Sequence, residues 1–214
     1  MKILVFDTET TGLPTSYNTP VIATQQWPYI VQLSYIIYDT ELNTVLDYRD
    51  TIIKLPNSIT ITKESENIHK ISNEMSKTKG VELKPELIKF NELLNTVDEI
   101  VGHNISFDKN MIMVECLRFR LENNFTKNKI PEFCTMKNSV NICKILTYNK
   151  SGRSYYKYPK LIELYQYLFN TTPDGLHNSM VDVLATIRCY GKLKYNIDYN
   201  EFESNLNTLK PLIP

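Results

Sequence analysis

The chain has 214 residues, 42% of them hydrophobic, which is enough for one large domain with its own core. Lys and Arg number 24 against 24 Asp and Glu, so the total charge advertises no polyanionic partner, although an acidic centre offset by basic surface elsewhere leaves the same sum. The apolar runs KILVF and YIVQLSYIIY are too short or too interrupted to span a bilayer, and the first residues lack a signal-peptide pattern. The expectation is a soluble intracellular protein with no membrane partner, cytoplasm and nucleus being indistinguishable. Cys116, Cys134, Cys143 and Cys189 show no CxxC spacing and lie in apolar segments, which reads as buried thiols and argues against a structural zinc.

A strand is expected at residues 2–6, closed by the polar cluster DTETTG with Gly12 and Pro14 marking a turn. Two apolar, β-branched segments at 29–38 and 44–55, separated by DTELN, read as the rest of an antiparallel three-strand meander. Signals over 58–75 are short and mixed. PELIKFNELLNTV has helical spacing at Leu87, Phe90, Leu94 and Val97, and EIVGHN comes next as a fourth strand. A second helix, with Asn104 or Ser106 as its cap, carries Phe107, Met111, Val114, Leu117 and Leu121 on one face and Asp108 in its first turn. KLIELYQYLF and MVDVLATIRCYGKL are the later helices, the second with Asp182 near its start. This order gives an α/β domain over residues 1–194: a mixed central β-sheet, meander plus parallel strands, flanked by helices. Residues 195–214 form a polar tail expected to pack on the domain.

Acidic residues stand at element edges in three places: Asp7 with Glu9, then Asp108, then Asp182 with His177 five residues upstream. If the first strand persists through Thr8, the carboxylates of Asp7 and Glu9 point to one side. Like charges so close call for a cation, and hard oxygen ligands suit a pair of Mg²⁺ or Mn²⁺ ions of the kind used in phosphoryl transfer. His177 is the general-base candidate, imidazole being the side chain suited to moving protons near neutral pH. Taken singly, each residue has an ordinary reading as well. Asp108 and Asp182 suit a helix's positive end, Asp7 and Glu9 suit a turn, and His177 suits a loop or cap.

Together, DTETTGLP after the first strand, GHNISFD before a helix and HNSMVD opening a late helix resemble the DEDD exonuclease superfamily. The branch is DEDDh (DnaQ-like), typified by the proofreading subunit of bacterial DNA polymerase III, and the likeness covers roughly residues 1–194. It implies a ribonuclease H-like fold and 3′→5′ exonuclease activity with a two-metal mechanism. Asp7 then bridges both ions, Glu9 and Asp182 complete one site, Asp108 supports the other, and His177 is the base. Thr10, Thr11 and Leu13 would meet the terminal nucleotide, with Phe107 as a further base contact. NIHKIS resembles the family's nucleotide-binding stretch and adds Ile68 and His69, although Lys70 stands where the family usually has glycine. Ser179 likewise replaces a common alanine, a swap small enough to be tolerated. Phe107, Leu13 and Ile68 also read as core residues, and His69 as a hydrogen-bonded loop histidine.

The resemblance implies single-stranded 3′ ends as partner, DNA in preference to RNA, with a DNA polymerase as an optional partner of the tail. A catalytically silent module that only binds nucleic acid or a polymerase is the alternative from another class, and the presence of all five DEDDh positions argues against it. NKSGRSYYKYPK interleaves Lys150, Arg153, Lys157 and Lys160 with Tyr155, Tyr156 and Tyr158, a mixture that reads either as a track for phosphates and bases or as a solvated loop.

Overall fold

The computed structural model describes residues 1–199. Its central sheet comprises β1 (Lys2–Thr10), β2 (Ile30–Asp39), β3 (Thr44–Ile52), β4 (Glu99–Gly102) and β5 (Glu132–Cys134), in the spatial order β3-β2-β1-β4-β5. β1, β2 and β3 pair antiparallel, whereas β4 runs parallel to β1 and β5 parallel to β4. Between β3 and β4 lie α1 (Lys63–His69), α2 (Asn73–Lys79) and α3 (Leu83–Leu93), and α4 (Ile105–Arg118) and α5 (Asn124–Asn128) connect β4 to β5. After β5 come α6 (Thr135–Asn138), α7 (Val140–Cys143), a hairpin of β6 (Leu146–Tyr148) and β7 (Ser154–Tyr156), α8 (Leu161–Phe169) and α9 (Ser179–Tyr195). The expected mixed sheet and meander are present. β1 runs four residues past the expected end, so the polar cluster is itself strand.

Side-chain parity divides the core. Even positions of β1, Leu4 and Phe6, join Leu33, Tyr35 and Ile37 of β2 against Leu87 and Phe90 of α3 and Met111 and Ile112 of α4. Odd positions, Ile3 and Val5, join Ile36 and Tyr38 against Met180, Val183, Ile187 and Tyr190 of α9. The same alternation, carried further along the strand, puts Asp7 and Glu9 on the α9 face and Thr8 on the α4 face. Because β1 and β4 are parallel, their carboxyl ends open on the same edge of the sheet, where ligands of α/β proteins are commonly held.

α9 ends at Tyr195, and the chain then folds back so that Tyr199, 1% exposed, stacks on Tyr38 with ring centroids 5.1 Å apart. Gly191 makes room for this return. A Cβ there would lie 2.6 Å from the Tyr199 ring and 2.9 Å from the Ile197 carbonyl. Residues 200–214, the rest of the expected tail and the segment to which the polymerase expectation attaches, lie outside the described residues. No helix among the described residues is long and apolar enough to cross a membrane. Gly191→Ala is expected to destabilise the protein by about 1–3 kcal/mol in urea unfolding, as for other overpacked cores. A midpoint equal to that of the unsubstituted protein would mean that the Tyr199 return does not constrain the fold.

Candidate active site

Strand parity brings three of the sequence-predicted carboxylates together. Asp7 and Glu9 from β1 and Asp182 from the first turn of α9 each offer an oxygen, and these oxygens lie within 4.8 Å of one another. Asp108 comes from the opposite side. It is 3% exposed in the first turn of α4, and its Oδ1 accepts from the Thr8 amide at 3.0 Å and the Thr8 hydroxyl at 2.8 Å. Thr8, between the two acidic strand residues, thus ties the fourth carboxylate to the others.

Such a cluster resists ionisation. Burial first, then the charges of Asp108, Asp182 and Glu9, hold Asp7 well above the usual carboxylate range. Burial and the charges of Asp182 and Asp108 push Glu9 up to about 9. Burial raises Asp182 to about 7 against the lowering effect of the His177 amide, and raises Asp108 to about 7 in spite of its two bonds from Thr8. The cluster has no basic partner: no ion pair to Lys, Arg or His is made by these four among the described residues. The donor set therefore fits divalent cations with oxygen preference, which relieve the repulsion that burial magnifies.

His177 directly precedes the α9 N-cap, with φ 70°, and its amide approaches Asp182 Oδ1 at 3.4 Å. Its exposed ring makes no hydrogen bond among the described residues and faces a groove of about 570 Å³ shared with Ile68, His69, Lys70, Gln32 and Asn178. Ile68 is 53% exposed in that groove and is not a core residue. His69, by contrast, is buried. Its Nδ1 accepts from the Ile71 amide at 3.0 Å, and Nε2 has no hydrogen-bond partner among the described residues. Lys70 adopts the left-handed conformation, φ 64° and ψ 7°, that ends α1, so lysine takes here the backbone that glycine favours.

On the other flank of the cluster, Leu13 and Phe107 share a pocket of about 390 Å³ with Pro14, Tyr17 and Trp27. Leu13 is 81% exposed at its rim, and the Phe107 and Trp27 ring centroids are 6.4 Å apart. Thr10 ends β1 and Thr11 follows it. The Thr10 hydroxyl donates to the Gly12 carbonyl at 2.6 Å, and Thr11 exchanges bonds with Tyr29 through its amide and its hydroxyl.

The sequence motifs do not reveal what positions α9. Ser34 and Gln32 of β2 stand opposite Asp7 and Glu9 across the sheet. The Ser34 hydroxyl meets the Ser179 hydroxyl at 2.5 Å, Gln32 Oε1 accepts from the Ser179 amide at 3.2 Å, and Asp50 Oδ1 accepts from both Ser34 and Gln32. With Asn178 capping the Met180 and Val181 amides, these bonds fix the turn that presents His177 and Asp182. Serine at 179 is thus more than a tolerated alanine substitute. The one available signal is a pair of polar residues at alternate positions inside the apolar run YIVQLSYIIY.

A protein-family model, RNase_T, described as Exonuclease, matches residues 4–190, from the first strand almost through α9. The chain belongs to this exonuclease family. Among solved structures it is similar to E. coli Exonuclease I in complex with a dA16 oligonucleotide, at 17% identity and a TM-score of 0.64 over 100% of this chain and 46% of that one. It is also similar to the zinc-bound E. coli ExoI–ssDNA complex (16% identity, TM-score 0.65, 100% and 45% coverage) and to Exonuclease I from Methylocaldum szegediense (18%, 0.64, 95% and 43%). The chain spans a little under half the length of these structures, and at such identity the likeness carries the fold alone. It matches the expected ribonuclease H-like sheet. No curated protein matches the sequence.

In this member of the exonuclease family, removing one charge from the cluster should stabilise the metal-free protein. Asp7→Asn is expected to raise stability in EDTA by about 1 kcal/mol or more, which is about 2–4 °C in Tm for a domain of this size. Mn²⁺ should raise the Tm of the unsubstituted protein and leave that of the variant nearly unmoved. Equal Mn²⁺ shifts in both would remove the carboxylates as the binding site.

Proposed function

We propose that the chain is a metal-dependent 3′→5′ exonuclease that releases nucleoside monophosphates from single-stranded DNA ends. The observation that carries this reading is the convergence of Asp7, Glu9 and Asp182 within 4.8 Å, with Asp108 braced on Thr8 beside them. Membership of the exonuclease family and a fold similar to proteins solved with single-stranded oligonucleotides support it. The four carboxylates would hold the ions, a pair of Mg²⁺ or Mn²⁺, which when bound supply charge neutralisation at the phosphodiester and at the leaving oxygen.

The chain's own groups do the remaining work. His177, exposed at the start of α9 with a free ring, takes a proton from the attacking water. The Leu13, Phe107 and Trp27 pocket receives the terminal base, and the groove at Ile68 and His69 receives its neighbour on the other flank. Backbone groups of Thr10 and Thr11 line the passage between them. No base-reading polar constellation is needed, because the end of any strand presents a π-face and a phosphodiester.

Asp7→Ala is expected to abolish Mn²⁺-dependent release of mononucleotides from a single-stranded 20-mer while the fold persists. His177→Ala should lower the rate by about 10²–10⁴ with the Mn²⁺-induced Tm rise retained. Full activity in the Asp7 variant would overturn the metal-centre reading, and a pH–rate profile unchanged in the His177 variant would remove its role as base.

A further inference from the structure

The neutral total charge hides a segregated one. Residues 137–160 contain Lys137, Lys144, Lys150, Arg153, Lys157 and Lys160 and no Asp or Glu, which leaves the rest of the chain with 18 basic against 24 acidic residues. This basic stretch includes the β6–β7 hairpin, which pairs Leu146 with Tyr156, Thr147 with Tyr155 and Tyr148 with Ser154 outside the central sheet. Lys157 pairs with Glu163, whereas Lys144, Lys150, Arg153 and Lys160 make no ion pair among the described residues. Lys160 also acts on Glu163, so the charges of Lys144, Lys150 and Arg153 are the ones open to a partner.

Four tyrosines accompany that charge. Tyr148, Tyr155, Tyr156 and Tyr158 are 66%, 51%, 44% and 57% exposed, so four ring faces within eleven residues are open to solvent. The hairpin's tip is ordered by its own bonds. Asn149 Oδ1 accepts from the Ser151 amide at 3.0 Å and the Arg153 amide at 2.9 Å, and Gly152 supplies the left-handed residue at φ 79°. Its base is anchored to the catalytic edge of the sheet. The His103 ring, at the end of β4, meets the Pro159 carbonyl through Nε2 at 3.1 Å and the Thr135 hydroxyl through Nδ1 at 2.9 Å.

A continuous surface results. Lys137 lines a groove with Tyr155, Tyr156, Lys157 and Tyr158, and its Nζ donates to the Ser106 hydroxyl at 3.2 Å. Ser106 in turn lines the pocket of Leu13, Trp27 and Phe107 beside the carboxylate cluster. Cations spaced along exposed rings, leading away from a pocket for a strand's end, match an unpaired polynucleotide: phosphates at intervals, with bases free to stack.

We propose that the β6–β7 hairpin is an accessory arm that grips single-stranded nucleic acid on the 5′ side of the end being cleaved. The arm rests on the nuclease reading for its orientation, and it explains how a chain of zero net charge with an acidic centre retains a long polyanion. It predicts a length dependence: short oligonucleotides occupy the pocket alone, and longer ones also reach the hairpin.

The test uses the full chain, 5′-fluorescein dT20 and dT4, and the variants Lys150→Ala/Arg153→Ala and Tyr155→Ala/Tyr158→Ala, with Tm confirming that each folds. Binding is read by anisotropy in EDTA, and KM for cleavage is read separately in Mn²⁺. Each variant should weaken dT20 binding about tenfold, leave dT4 unchanged, and raise KM for dT20 alone. In the Lys150/Arg153 variant, the slope of log affinity against log salt should fall by about 1.4, from two lost phosphate contacts. Unchanged dT20 affinity and KM in both variants would overturn the arm. If the unsubstituted protein cleaved neither oligonucleotide while the variants still lost dT20 binding, the nuclease reading would fail and the arm would stand.

Discussion

Carboxylates crowded at the end of a buried strand repel one another, and the rest of this structure can be understood as what holds them there. Asp7 and Glu9 have no freedom to separate, because the β1 ladder to β2 runs past both and places Ser34 and Gln32 opposite them. Asp182 is held by the α9 turn, which Ser179 and Asn178 fasten to β2 and to the helix's own amides. Asp108 is pulled in by Thr8. Burial and mutual repulsion hold the pKa of all four carboxyls above the usual range.

Much of the site is legible in the sequence because strand periodicity is strict. Two acidic residues separated by one position share a face as long as the strand continues, and here it continues through Thr10. The helices bearing Asp108 and Asp182 are visible from their apolar spacing, and both begin near the expected positions. The residues that position them are less visible. Asn104, expected as a side-chain cap, occupies the N-cap in a left-handed conformation and makes no side-chain cap bond. Ser34, Gln32 and Asp50 act through pairings between strands and with a helix more than a hundred residues away, and no local pattern reveals such partners.

Short elements escape the same reading. β5, β6 and β7 have three residues each, too few for alternation to register, and α1, with seven, falls in the stretch of mixed signals in which α2 only begins. The hairpin sequence offers only its composition, with a solvated loop as an equal reading. The structure shows that segment as a two-stranded ribbon whose base is bound to the same sheet edge as the carboxylates. On the proposals made above, an acidic centre and a basic arm would divide a net charge of zero between cleavage and retention of the polymer.

Hydrolysis from a free 3′ end at a divalent-metal centre is tested most directly on 5′-labelled single-stranded DNA, with either a free or a blocked 3′ end, incubated with the protein and Mn²⁺. The expected result is a ladder that shortens progressively from the free 3′ end, an intact blocked strand, and no cleavage in EDTA. Internal cuts on the blocked strand, or cleavage that persists in EDTA, would contradict it.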